Sequence, residues 1–176
     1  MKTMSLMNKK WLLSLHIVFS AIMLGTSVTF LILSITAVST QDSVLVLACY
    51  KAMHVLSGSS VRASLIGTVV TGVLLSVRTH WGLVKYNWII VKEILTLIAI
   101  VLGPFGMYVW TLKGITLLTD VGIEGVNQGA YVTNTVYLFI GIGLQLLSLL
   151  AMFVLSVFKP WGKRKTRNKV GTVVRF

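Results

Sequence analysis

Long uncharged runs of apolar residues dominate the chain. The first of them, LLSLHIVFSAIMLGTSVTFLILS at residues 12–34, carries no Asp, Glu, Lys or Arg. Runs of about 18 or more such residues are long enough to cross a hydrocarbon core roughly 30 Å thick. The pattern predicts four spans, at residues 11–38, 57–77, 88–112 and 130–158. Residues 43–56 either extend the second span outward or lie along the outer surface.

Composition supports this assignment. The 176 residues are 56% hydrophobic and 11% charged, whereas an average soluble domain is about 25% charged. We therefore predict an all-α fold, an integral membrane four-helix bundle, with a single four-span domain at residues 1–158. A basic tail at residues 159–176 follows it. The single cysteine, Cys49, excludes an internal disulfide and a multi-cysteine metal site.

The basic residues predict the orientation of the spans, because Lys and Arg are enriched in cytoplasmic flanks. They cluster before the first span, in the loop after the second span, and in the tail after Phe158, which holds seven of the sixteen. Both termini are therefore expected in the cytoplasm. A net charge of +12 is also typical of nucleic-acid binding, but its location next to a span favours anionic lipid head groups instead. We expect no nucleic-acid partner.

Each predicted span has one face of small and polar residues at helical spacing. Such faces usually pack between helices in membrane bundles. The polar residues expected inside the membrane on these faces include Ser20, Ser76, Thr96, Asn134 and Gln145. In the third span, Gly103 and Pro104 predict a kink that frees a backbone carbonyl one turn earlier.

Ionisable residues inside a span often mark a functional site, because the bilayer disfavours them. His16 follows Trp11 by five residues, which places it about 7 Å inside the cytoplasmic boundary. Lys92 follows Trp88 by four residues, and Glu93 lies beside it. The three residues therefore form the candidate site. The alternative is structural: Lys92 extends to the interface, and His16 bonds Ser20 or a neighbouring carbonyl.

The histidines raise the possibility that the protein binds haem. Two imidazoles that clamp one haem must lie at the same depth, but His54 is expected on the outer side and His80 in a loop. A single haem ligand from His16 remains open.

Two stretches, LHIVFSAIMLG and the block from Thr71 to Thr96, resemble a family of small uncharacterised bacterial membrane proteins. The resemblance covers roughly residues 11–106, and it is carried by an early His and by the following positions of the block: Thr71, Gly72, Ser76, Trp81, Gly82, Leu83, Trp88, Lys92, Leu95 and Thr96. It implies a four-span bundle in the bacterial cytoplasmic membrane. More distantly, the chain is similar to the copper-resistance D and membrane protoporphyrinogen oxidase families. The similarity to the second family implies that His16, together with Lys92, would contact haem or its precursor.

Three functions remain open at this level. The first is a protein without classical catalysis that binds a hydrophobic cofactor or a membrane partner at the level of His16 and Lys92. The second is a haem-dependent redox or tetrapyrrole enzyme with His16 as haem ligand. The third is an accessory subunit of a larger membrane complex or a homo-oligomer, in which the polar faces form the interface.

Overall fold

The computed structural model describes residues 4–79, 81–121 and 129–163, and these residues are almost entirely helical. The α-helices are α1 (Leu6–Ser39), α2 (Ser43–Leu56), α3 (Arg62–Arg78), α4 (Asn87–Ile100), α5 (Tyr108–Val121) and α6 (Gly129–Phe158). Two π-helical segments, Ser57–Val61 and Val101–Met107, join α2 to α3 and α4 to α5.

Together these elements form four long helices: Leu6–Ser39, Ser43–Arg78, Asn87–Asp120 and Gly129–Phe158. Each of them is long enough and apolar enough to cross a membrane. The all-helical fold and the number of such helices are as predicted. The part of the tail from residue 164 onward, His80 and Glu124 lie outside the described residues.

Side-chain caps explain why two helices begin earlier than the apolar runs do. The Ser5 hydroxyl accepts a hydrogen bond from the Asn8 N–H at 3.3 Å, and the Asp42 carboxylate accepts one from the Val44 N–H at 2.9 Å. Both side chains satisfy backbone donors that the first turn leaves unpaired. Residues 43–56 are therefore the first part of the second long helix rather than a separate surface helix.

The predicted kink at Gly103 and Pro104 is a π-helical segment, which spans Val101–Met107. Pro104 has no N–H, and its ring would clash with the carbonyl four residues earlier in a regular α-helix. The wider π turn accommodates the ring. The second π segment, Ser57–Val61, was not predicted, and it packs against the first. Their contact is close: a Cβ on Gly103 would lie 3.1 Å from Val61 Cγ1.

The four long helices pair differently at the two ends of the bundle. Near the N-terminus, α1 packs against α3, and α4 packs against α6. At the opposite end, α2 packs against both α1 and α5, and α5 packs against α6. Helix α1 also packs against α6, which joins the α1–α3 pair to the α4–α6 pair.

Two apolar clusters hold these pairs together. The larger one lies toward the end that contains α2 and α5, around Phe30, Tyr50 and Met53. The smaller one takes one buried residue from each long helix: Met23, Leu65, Ala99 and Leu149. His16 and Lys92 lie just beyond the smaller cluster, toward the N-terminal end of α1.

Candidate ligand site around His16

His16 on α1 is held against α3 by two hydrogen-bond contacts of one ring nitrogen. Its Nδ1 lies 3.1 Å from the Thr68 carbonyl oxygen and 2.9 Å from the Thr71 hydroxyl. A carbonyl can only accept, so Nδ1 must carry the proton. The Thr71 hydroxyl donates to the Gly67 carbonyl at 2.6 Å, which leaves its oxygen free to accept from the same Nδ1–H.

This arrangement assigns the tautomer of the neutral ring. With the proton on Nδ1, Nε2 carries a lone pair, and no described residue forms a hydrogen bond with it. Histidines that ligate metals usually donate their other ring N–H to a carbonyl or carboxylate, which orients the ring. His16 therefore has the local geometry of a prepared ligand or hydrogen-bond acceptor.

Two glycines on α3 allow α1 to approach closely enough for these bonds. A Cβ on Gly72 would lie 3.2 Å from His16 Cε1, and a Cβ on Gly67 would overlap the Phe19 ring. The small residues on this face therefore let the two helices pack closely. The absence of side chains at Gly67 and Gly72 brings the imidazole to the α3 backbone.

Lys92 on α4 is part of the other helix pair. Its ammonium donates to the Ser156 hydroxyl of α6 at 2.8 Å, and Ser156 donates to the Met152 carbonyl at 2.6 Å. The ammonium also lies 6.0 Å from the centre of the Trp88 ring. Lys92 is thus directed to a neighbouring helix rather than extended freely into water.

The structure brings His16 and Lys92 close enough for a Coulombic interaction, but it gives each a different partner helix. Glu93 does not form an ion pair with Lys92 within the described part of the chain. Glu93 Oε1 is instead buried there with no hydrogen-bond partner. The three residues therefore share a level, and two acceptors there have no hydrogen-bond partner among the described residues: Nε2 of His16 and Oε1 of Glu93.

Three other predicted polar residues near His16 and Lys92 form hydrogen bonds that involve the backbone. The Ser20 hydroxyl donates to the backbone carbonyl of His16 at 2.8 Å and not to the imidazole. The imidazole bonds the Thr68 carbonyl instead, which is the neighbouring carbonyl that the structural alternative allowed. Thr96 donates to the Lys92 carbonyl at 2.8 Å. Ser76 contributes its carbonyl, which accepts from the Gly82 N–H at 2.9 Å and closes the loop after α3.

Asn134 and Gln145 lie elsewhere in the bundle. Asn134 donates to the Trp110 carbonyl at 2.9 Å, toward the opposite end. Gln145 is 1% exposed near the middle of α6, and its Oε1 has no hydrogen-bond partner among the described residues. A Cβ on Gly103 would lie 3.9 Å from Gln145 Nε2, so the amide faces the proline-containing π segment.

His54 repeats the His16 geometry at a different level. Its Nδ1 lies 3.2 Å from the Thr111 hydroxyl, which donates to the Met107 carbonyl at 2.7 Å. The ring also stacks on Tyr108, with ring centres 4.5 Å apart. His54 precedes Thr68 by 14 residues, or about 21 Å along the helix. The two histidines therefore do not reach one haem.

The described residues fit part of a haem site only. His16 supplies one oriented imidazole, and His54, the other described histidine, lies at a different level. Within residues 4–79, 81–121 and 129–163, no cluster of three or more His, Cys, Asp or Glu side chains could hold a metal ion.

Comparisons with protein-family models, curated proteins and solved structures returned no match.

Proposed function

We propose that this chain is an integral protein of the bacterial cytoplasmic membrane, with both termini in the cytoplasm, that binds a hydrophobic ligand through His16. The apolar outer surface supports insertion: side chains such as Ile32, Phe105 and Leu147 are each more than half exposed. Apolar patches of this extent are stable in lipid or under a partner but not in water. The distribution of Lys and Arg supports the orientation.

The observation that carries the ligand proposal is the unengaged Nε2 of His16. It can accept a hydrogen bond from a ligand or coordinate a metal centre, while Thr68 and Thr71 hold the ring in place. Lys92, near enough to act electrostatically, favours a ligand that carries negative charge or an electron-rich group. The apolar side chains of the bundle favour a hydrophobic ligand. We propose binding rather than catalysis as the activity.

The same observation favours haem as a second, more specific candidate. A haem bound here would supply redox chemistry at its iron. Nε2 of His16 would hold the haem, and the Thr68 carbonyl would keep the proton on Nδ1.

The test compares wild-type protein with His16→Ala and with His54→Ala as the matched histidine control. Each protein is purified in mild detergent from carbonate-washed membranes and analysed by native mass spectrometry. We expect a bound small molecule in the wild type and in His54→Ala, and its loss in His16→Ala. An equal complement of bound molecules in all three proteins would contradict the ligand proposal.

Oxidised and dithionite-reduced absorption spectra of the same three samples test haem. A Soret band present in the wild type and in His54→Ala but lost in His16→Ala supports the haem candidate. No band in any sample rejects it. Recovery of the wild type in the soluble fraction without detergent would reject membrane insertion.

A further inference from the structure

An open groove runs along the outside of the α1–α3 pair, at the end where the N-terminus lies. Its volume is about 330 Å³, within the range of about 300–1,000 Å³ that ligand sites occupy. The side chains that line it include Asn8, Trp11, Leu12, Leu15, Leu74 and Arg78. None of these residues forms a hydrogen bond with the His16 ring.

The groove is polar at one end and apolar along its length. Arg78 is the last residue of α3, and Asn8 lies in the first turn of α1. Leu12, Leu15 and Leu74 lie further along the two helices, toward the middle of the bundle. Trp11 is 66% exposed beside the polar end, which is the level at which Trp rings lie at membrane interfaces.

The charges at this end are almost all positive. Among the described residues, Glu93 is the single acidic side chain here, and the basic ones are Lys9, Lys10, Arg78, Lys85, Lys92, Lys159 and Lys163. No described carboxylate pairs with Arg78. The groove therefore combines an uncompensated guanidinium with a long apolar floor, which complements a molecule with an anionic head and a hydrocarbon chain.

We propose that the groove holds one anionic phospholipid. The phosphate is bound by the Arg78 guanidinium and the Asn8 amide, and one acyl chain lies along Leu12, Leu15 and Leu74. This inference rests on the membrane insertion proposed above, but it does not depend on a ligand at His16.

The experiment measures lipid retention by native mass spectrometry of the full chain in a neutral detergent. Phosphatidylglycerol and phosphatidylcholine with identical acyl chains are added to the wild type, to Arg78→Gln and to Lys10→Gln. Lys10→Gln is the control, because it removes one positive charge from the same end of the protein but outside the groove. Any basic residue near a membrane surface contributes up to roughly fivefold in affinity for anionic lipid, and a direct charge-assisted hydrogen bond to the phosphate adds to that. We therefore expect Arg78→Gln to lower phosphatidylglycerol retention by more than about fivefold, and Lys10→Gln to lower it by about fivefold or less.

A second variant tests the apolar floor. Leu74→Trp fills the groove and should reduce retention of phosphatidylglycerol although Arg78 is intact, with circular dichroism confirming that the helices remain. Inorganic phosphate should not displace the lipid, because the chain contributes to binding. Equal effects of Arg78→Gln and Lys10→Gln, equal retention of the two lipids by the wild type, or displacement by phosphate alone would each overturn the proposal.

These outcomes are distinct from failure of the proposed function. A protein that is soluble without detergent rejects membrane insertion before any lipid is added. A protein that binds phosphatidylglycerol through Arg78 but carries no ligand at His16 keeps the lipid site and loses the His16 proposal.

Discussion

Replacing Gly67 by Ala tests the close contact of α1 and α3 on which the His16 geometry depends. A Cβ at Gly67 would lie 2.5–2.6 Å from three ring carbons of Phe19, whereas carbon atoms in contact are separated by about 3.5–4.0 Å. One of those carbons is Cγ, the atom at the base of the ring, so rotation of the ring does not relieve the overlap. The helices must instead separate by about 1 Å.

The magnitude follows from two opposed effects. Overpacking of this kind costs about 1–3 kcal/mol, and Ala in place of Gly within a helix returns about 0.5–1 kcal/mol. We therefore expect Gly67→Ala to lower the free energy of unfolding by about 0–2.5 kcal/mol, centred on about 1 kcal/mol. The same 1 Å shift would lengthen the His16 contacts, now 2.9 and 3.1 Å, beyond the usual limit of about 3.2 Å.

The assay is thermal unfolding in detergent, followed by circular dichroism, with Gly143→Ala as control. Gly143 is also inside a helix, but a Cβ there would meet no atom within 4 Å. That variant should be as stable as the wild type or more stable. If Gly67→Ala unfolds at or above the temperature of Gly143→Ala, the proposed contact between α1 and α3 is wrong.

Substitutions at three further positions test polar contacts by the same unfolding assay. Gln145→Leu removes a buried amide whose oxygen has no described partner, so stability should be unchanged or rise by about 1 kcal/mol; a clear loss would indicate a water or ligand bound there. Ser156→Ala removes the hydroxyl 2.8 Å from Lys92 Nζ and should cost about 1.5–3 kcal/mol; wild-type stability would mean that this bond is not formed. Arg62→Gln removes an exposed guanidinium 4.5 Å above the Tyr108 ring and should cost about 0.5–1 kcal/mol, while Arg62→Lys keeps part of the contact; equal stability of the two Arg62 variants would contradict it.

The sequence predicts the helices well, because an apolar segment long enough to cross a bilayer core has few alternatives to a helix. It predicts their ends less well, since the apolar run stops before the helix does. Asp42 caps α2 well outside the predicted second span, and the π segment at Ser57–Val61 lets the helix continue through a Ser- and Gly-rich stretch. Hydrophobicity alone does not distinguish such a continuation from a break.

The site itself stays a prediction. The sequence suggests a common level for His16 and Lys92 from their distances to Trp11 and Trp88. Their actual partners, Thr71 and Ser156, depend on which helices are neighbours, and helical periodicity does not contain that information. Ser156 lies 11 residues beyond Gln145 on the same face of the fourth span, so extending the pattern by about three turns would have identified it.

The protonation state of the His16 ring tests the proposed site most directly. Nitrogen-15 NMR of histidine-labelled protein in detergent, at a pH where the ring is neutral, separates protonated from unprotonated ring nitrogens, and His16→Gln assigns the signal. The Thr68 and Thr71 contacts predict a protonated Nδ1 and an unprotonated Nε2. A His16 ring protonated on Nε2 would contradict both the hydrogen bond to Thr68 and the ligand role that depends on it.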